Sequence, residues 1–235
     1  MKISVVIPVY REEGITSLLD DLLRREDSTD ASRMSGVEII VVDGAPQSDT
    51  LRRIHAYPVL GLTSPPGRGV QQNTGAAAAG GNVLLFLHAD TILPDHAFTL
   101  IRQTLADPML CGGAFSLAYK PRTLGLSFIA MVANLRSRRT RVPYGDQAIF
   151  LRRSVFREIG GFASIPLMED LEFMTRLRRR GHKIRILAMP VRTSGRRQLG
   201  EGLVRCTLRN LFLRLFYHLG VAPALLSRLY QRHGG

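Results

Sequence analysis

One rhythm dominates the first half of this chain: a short apolar, β-branched run, then a stretch with helical periodicity, repeated. Ile3–Val9 is a continuous run of the kind found in a parallel strand covered on both faces. Ile15, Leu18, Leu19, Leu22 and Leu23 follow on one helical stripe. After a polar loop over Asp27–Ser35 comes a second buried strand, Val37–Val42, ending at Asp43-Gly44. A short helix over Thr50–Ala56 and a weaker strand over Tyr57–Thr63 precede the break Pro65-Pro66-Gly67. Arg68–Gly80, rich in Ala and Gln, predicts a helix closed by Gly80-Gly81. Val83–His88 is the next strand, and Phe98, Ile101 and Leu105 mark the helix after Pro94. This βαβαβαβ order predicts an α/β fold: a doubly wound, mostly parallel sheet flanked by helices. Its crossovers are right-handed, so ligands gather at the carboxyl ends of the strands.

Beyond Asp107-Pro108 the order is less regular. Strands are expected at Gly112–Tyr119, Ala148–Leu151 and Lys183–Met189, and helices at Leu124–Arg139, Val155–Ile159 and Met168–Arg180. From about Arg192 the chain reads as basic and helical. With 235 residues, 45% of them hydrophobic, it can bury a core without disulfides and is not expected to be disordered. The division expected is one domain over 1–198 and a basic amphipathic helical extension over 199–235. Cys111 and Cys206 lie far apart and in no metal-binding spacing, and read as reduced thiols in a cytoplasmic protein. No targeting segment is visible. Leu124–Leu135 is too short to span a membrane, and arginines interrupt Leu203–Tyr230.

Several polar residues stand where such a sheet collects its ligands. Asp43 and Asp90 each follow a strand. A carboxylate there can accept from a base or ribose hydroxyl or bind a divalent cation, and it can equally cap a helix or make an Asx turn. His88 and Asp90, two residues apart, point the same way from a strand end. His88 is either a metal neighbour or a hydrogen-bonded core histidine. Arg68, between Gly67 and Gly69, can reach phosphate or lie exposed at a helix start. Glu169 and Asp170 open a predicted helix, where they complement its dipole or supply a general base. Asp146, in Gly145-Asp146-Gln147, stands in a turn before a strand.

Five segments occur in order over roughly residues 2–197: SVVIPVYRE, EIIVVDGAPQSDT, GRGVQQNTGAAAAGGNVLLFLHADT, YGDQAIFLRRSVFREIGGF and PLMEDLEFMTRLRRRG. Together they resemble the family 2 glycosyltransferases of the GT-A fold. The His88-Ala89-Asp90 triplet, in place of Asp-any-Asp, and the last stretch of the chain resemble a bacterial subgroup labelled as radical-SAM- or selenium-domain-associated transferases. The resemblance implies metal-dependent, inverting transfer of a sugar from a nucleoside diphosphate sugar, a UDP-sugar favoured, to an acceptor hydroxyl. Pro8, Tyr10, Glu12, Ala89 and Asp146 would line the nucleotide-sugar pocket, Asp43 would bind the base, and Arg68 the base or phosphates. Asp90, with His88, would hold Mn²⁺ or Mg²⁺. Asp170, beside Glu169, would be the catalytic base. His88 stands where the family carries its first acid. Arg196-Arg197-Gln198 matches only part of the Arg-Trp motif of processive polysaccharide synthases, so no processive polymerase is expected.

The net charge is +13, and the stretch from Arg176 onward, whose only acid is Glu201, carries all of it. That excess favours acidic partners. Leu203, Val204, Leu208, Leu211, Phe212 and Leu215 lie between the tail's arginines. Two readings stay open: a basic helix lying on an anionic membrane surface, at the inner face and near a lipid-linked acceptor, or a packing helix whose arginines are solvated. A non-catalytic, transferase-like module docking on that surface is the alternative function. No specific nucleic-acid partner is expected, since aromatics are not interleaved with the basic residues outside the tail. A sugar nucleotidyltransferase would want a glycine-rich loop where Val9–Gly14 reads VYREEG.

Overall fold

The structure, a computed structural model, describes residues 1–27 and 36–231. Of the loop expected over Asp27–Ser35 only Asp27 is described, and Arg232 of the basic tail lies outside the described residues. Among them, eight strands form one sheet: β1 (Ile3–Val9), β2 (Val37–Asp43), β3 (Leu60–Thr63), β4 (Val83–Phe86), β5 (Thr91–Ile92), β6 (Gly112–Lys120), β7 (Phe150–Arg152) and β8 (Ile184–Ser194). The order is β3-β2-β1-β4-β7-β6-β8-β5. β1 pairs in parallel with β2 and β4, β2 with β3, and β6 with β8. β7 runs antiparallel to β4 and β6, and β5 to β8. The helices are α1 (Ile15–Asp27), α2 (Asp49–Arg53), α3 (Arg68–Ala78), α4 (Ala97–Thr104), α5 (Leu124–Thr140), α6 (Arg153–Ile159), α7 (Glu169–Arg179), α8 (Arg196–Glu201), α9 (Leu203–His218) and α10 (Pro223–Gln231).

Strand alternation explains the continuous apolar runs. Ile3, Val5, Ile7 and Val9 of β1 join one core with Ile15, Leu19 and Leu22 of α1 and Ile101 of α4. Val6 faces the opposite way and joins Val42, Ala76 of α3 and Phe173 of α7 in a second core. Both faces are covered, so a polar alternation has no place to appear. In the second core Phe86, Phe156, Phe162 and Phe173 pack with ring centroids 4.7–5.5 Å apart. These rings fasten α7 to β4. On the same side, α3 lies directly on β1: a Cβ at Gly75 would come within 2.4 Å of Val6. The buried Gln71 amide of α3 donates to the Val9 and Val42 carbonyls at 2.6 and 2.8 Å, satisfying acceptors where β1 and β2 end.

The end of β8 and the start of the helical tail differ most from the sequence reading; α2, β3, β4 and β7 differ by a few residues. β8 does not stop at Met189 but runs to Ser194. Pro190 lacks a ladder donor, yet the strand continues: Phe115 pairs with Leu187 and Ser116 with Pro190. The two residues between form a bulge that carries the proline through. Arg192 is therefore strand, and the helical tail begins at Arg196. β5, two residues long, is too short to leave a periodic signal. The tail helices pack onto the domain. Gly125 of α5 lies against Leu203 of α9, and Leu167, Leu213 and Leu226 form a small core of their own.

Candidate active site

The carboxyl end of the central strand β4, the amino ends of α3 and α7, and a 3-10 turn at Gly145–Gln147 meet at one end of the sheet. Asp170 enters α7 behind Met168, whose backbone is left-handed at φ 69°, an unusual state for a side chain of that size. The Gly145 N–H donates to Asp170 Oδ2 at 2.6 Å, and the Leu171 N–H to Oδ1 at 2.7 Å. A Cβ at Gly145 would stand 2.9 Å from His88 Nε2 and 3.3 Å from Asp170 Oδ2. Only glycine lets the turn lie against both.

Gln147 holds this turn. Its buried amide donates to the Phe115 carbonyl at 3.0 Å, while its Oε1 accepts from Ser137 Oγ at 2.6 Å and the Tyr144 N–H at 3.1 Å. Asp146 thus stands on a fixed backbone. Its own Oδ1 is buried without a hydrogen-bond partner. Burial first, then the neighbouring Asp170 and Asp90, push its carboxyl up to about 7 against the pull of Arg136 and Arg68.

Arg68 opens α3 and pairs through Nε with the buried Glu169 carboxylate at 2.9 Å. Burial works to lower its pKa, but Glu169, Asp170, Asp146 and Asp90 overcome that and raise it. Glu169 itself is raised by burial, with Arg68 opposing. His88 is held down to about 4 by burial and by Arg68, against Asp90 and Asp170, so it is neutral at pH 7. Asp90 is exposed, and its Oδ1 lies 3.4 Å from the hydroxyls of Thr91 on β5 and Thr193 on β8.

Six expected residues therefore converge: Arg68, His88, Asp90, Asp146, Glu169 and Asp170, with Ala89 in the loop between two of them. Four do not join this cluster. Asp43 is fully buried, and its two oxygens accept the Ala45 and Thr50 N–H groups at 2.8 and 3.2 Å, as an Asx turn does. Pro8 is buried in β1, beside Val42. Tyr10 is 53% exposed in the loop after it. The Glu12 N–H donates to Thr50 Oγ1 at 3.1 Å, tying that loop to the one Asp43 shapes. A cavity of about 430 Å³ opens there, lined by Arg11, Glu13, Asp49, Thr50, Arg52 and Arg53.

The sequence reading missed Gly145, Tyr144, Arg136 and Arg214. The Arg136 guanidinium of α5 stacks 3.6 Å above the Tyr144 ring, and Arg214 of α9 donates to the Tyr144 hydroxyl. Tyr144 and Arg214 lie 70 residues apart, so no spacing signals their contact.

Among the described residues no group of three His, Cys, Asp or Glu side chains is set to enclose a metal ion. Asp90 offers one exposed carboxylate, and one Asp146 oxygen lacks a partner. That donor set fits a hard cation sharing diphosphate oxygens, not a protein-only cage.

Residues 4–163 match the sequence model of the family described as glycosyl transferase family 2. The chain belongs to that family. Among solved structures, this family 2 chain is similar to S. aureus TarS, at 17% identity and a TM-score of 0.62, over 83% of this chain and 37% of that one. The TarS 1–349 structure in complex with UDP-GlcNAc matches at 19% identity and a TM-score of 0.63, over 83% and 58%. The complex of the same fragment with UDP matches at 18% and 0.61, over 83% and 60%. The family 2 chain thus spans 37–60% of those chains, under two thirds of each, and the likeness shows a shared fold. Compared with the curated proteins, it matches none. No helix among its described residues is long and apolar enough to cross a membrane.

Proposed function

We propose that this family 2 glycosyltransferase moves a sugar from a nucleoside diphosphate sugar, a UDP-sugar by preference, to an acceptor hydroxyl, with inversion. The observation that carries the reading is the gathering of Arg68, Asp90, Asp146 and Asp170 at the strand ends of a family 2 chain. Asp170 accepts the acceptor proton while the acceptor oxygen bonds to the anomeric carbon. The bond from that carbon to the diphosphate breaks on the opposite side, and the diphosphate leaves with the electron pair. The Gly145 N–H holds Asp170 in one orientation for this step. Arg68, anchored by Glu169, faces the leaving diphosphate; Glu169 is a positioning residue. The unpartnered Asp146 oxygen accepts a sugar hydroxyl. Asp43 acts through the loop it shapes, with Pro8, Tyr10 and Glu12 on the nucleotide side. A divalent cation, Mn²⁺ or Mg²⁺, bound by Asp90 and the diphosphate would neutralise charge on the leaving group; the neutral His88 imidazole is a candidate further ligand.

The test is a thermal-shift panel of nucleoside diphosphates with and without Mn²⁺, followed by donor turnover. One diphosphate should raise the melting temperature, and more with the cation. Asp170→Asn should keep that shift and lose transfer by about 10²–10⁴-fold. Turnover equal to the parent's would refute the assignment of the base.

A further inference from the structure

Three helices show solvent an apolar stripe. On α5, Leu124, Phe128, Met131 and Leu135 recur at helical spacing and are 94, 62, 57 and 50% exposed. On α9 the same spacing brings out Leu208, Leu211 and Leu215, each close to half exposed. α9 also has an inner side, with Cys206 and Leu213 buried against the domain. It is apolar on two sides and has a partner on one.

These stripes adjoin. Gly125 meets Leu203 at one end of α5 and α9, and Arg136 and Arg214 meet on Tyr144 eleven residues further along each helix, so the two run side by side. A groove of about 690 Å³, with Leu208, Phe212 and Phe216 of α9 and Leu229 of α10 in its lining, joins α10 to the same face. A monomer that leaves so much adjoining apolar surface bare usually covers it with a partner or a membrane.

Charge decides which. α5, α9 and α10 contain no Asp or Glu, while Arg138, Arg139, Arg205 and Arg228 lie exposed on them. A second copy would set arginine against arginine around the contact. An anionic bilayer accepts both features at once, the apolar side chains among the acyl chains and the guanidinium groups at the phosphates. We propose that α5, α9 and α10 form a docking face that lies on an anionic bilayer surface. The face includes α5, a helix of the transferase domain itself, and is not confined to the tail. Tyr144 joins it to the active site, since its neighbour Gly145 donates to Asp170.

Flotation of the full chain with vesicles tests this. The parent should float with vesicles containing phosphatidylglycerol, bind pure phosphatidylcholine vesicles far less, and detach as salt rises. Phe128→Glu combined with Leu211→Glu should cut partitioning at least about tenfold. Arg138→Glu combined with Arg205→Glu should remove the preference for anionic lipid. All four sites are exposed, and an unchanged melting temperature and nucleoside-diphosphate shift would show that the variants fold and that the nucleotide reading stands apart. Flotation of the apolar double variant at the parent's level would overturn the proposal. So would equal binding to neutral vesicles, or a dimer in solution that those substitutions dissociate.

Discussion

Asp146→Asn should stabilise this protein at alkaline pH and hardly at all in acid. The Asp146 carboxyl rises from 3.8 to about 7 because it is desolvated beside Asp170 and Asp90. A raised acid contributes stability that is complete below its unfolded value, near 3.8, and lost as pH climbs through about 7. At about 1.4 kcal/mol for each pKa unit, the full rise would cost about 4 kcal/mol at high pH. Water reaching the half-buried side chain cuts this to about 2 kcal/mol. At about 2–4 °C per kcal/mol for a chain of this size, the variant should melt about 4–8 °C above the parent near pH 8. The gap should close as pH falls toward about 4, where Asp146 is protonated in both states. Melting curves of both proteins across that range are the assay. A gap that does not change with pH, or a variant less stable than the parent near pH 8, would refute the reasoning. The variant should also transfer sugar more slowly, since an amide NH2 replaces one of the oxygens that can accept the sugar hydroxyl, and stability would then rise as activity falls.

Three further outcomes follow from the same geometry. Gly145→Ala drives a methyl to 2.9 Å from His88 and 3.3 Å from Asp170, and should lower kcat about 10²-fold with a stability loss of only about 1–3 kcal/mol, read by steady-state kinetics alongside melting. Gln147→Leu deletes three hydrogen bonds under the turn and should cost about 3 kcal/mol, seen as a lower denaturation midpoint at an unchanged slope. Nucleoside diphosphate binding without a divalent cation should weaken as pH rises through about 7, where Asp146 ionises, and change much less with Mn²⁺ present; titration calorimetry at both pH values checks it.

Most of the sheet's centre was readable because each core strand is apolar on both faces and each is followed by its helix. β1, β2 and β4 and the stripes of α1 and α4 carry that signal in consecutive residues. What escaped reading depended on pairing. Nothing in Phe150–Arg152 says that β7 runs antiparallel between β4 and β6, because strand periodicity carries no direction. The continuation of β8 past Met189 rests on a bulge against β6 that depends on strand pairing. The site divides the same way. Asp90, Asp170 and Arg68 stand at the ends of elements, where a motif can point to them. Glu169 reads equally well as an acid on a helix dipole, and only the fold sets it 2.9 Å from Arg68. Arg136 and Arg214 join the site through a tyrosine ring on neither of their helices.

The charges of the cluster bear on what must accompany a nucleotide. Asp90, Asp146, Glu169 and Asp170 stand around the ion-paired Arg68, with Arg136 the second guanidinium acting on Asp146, while His88 is neutral. Half of Arg68 is exposed, so solvent screens part of what it offers. A nucleoside diphosphate is itself an anion, and among these carboxylates alone it would meet more repulsion than attraction. Two things can change that balance. One is a proton on Asp146, whose pKa is raised first by burial and then by Asp170 and Asp90. The other is a divalent cation, which on Asp90 would bind the diphosphate with the same charge that quiets the acids. Below about pH 7 both serve; above it only the cation does. On the proposed reading, a site this acidic would take its anionic ligand as a complex with metal. Asp90, exposed where Asp146 is half-buried, is the carboxylate such a complex would reach first.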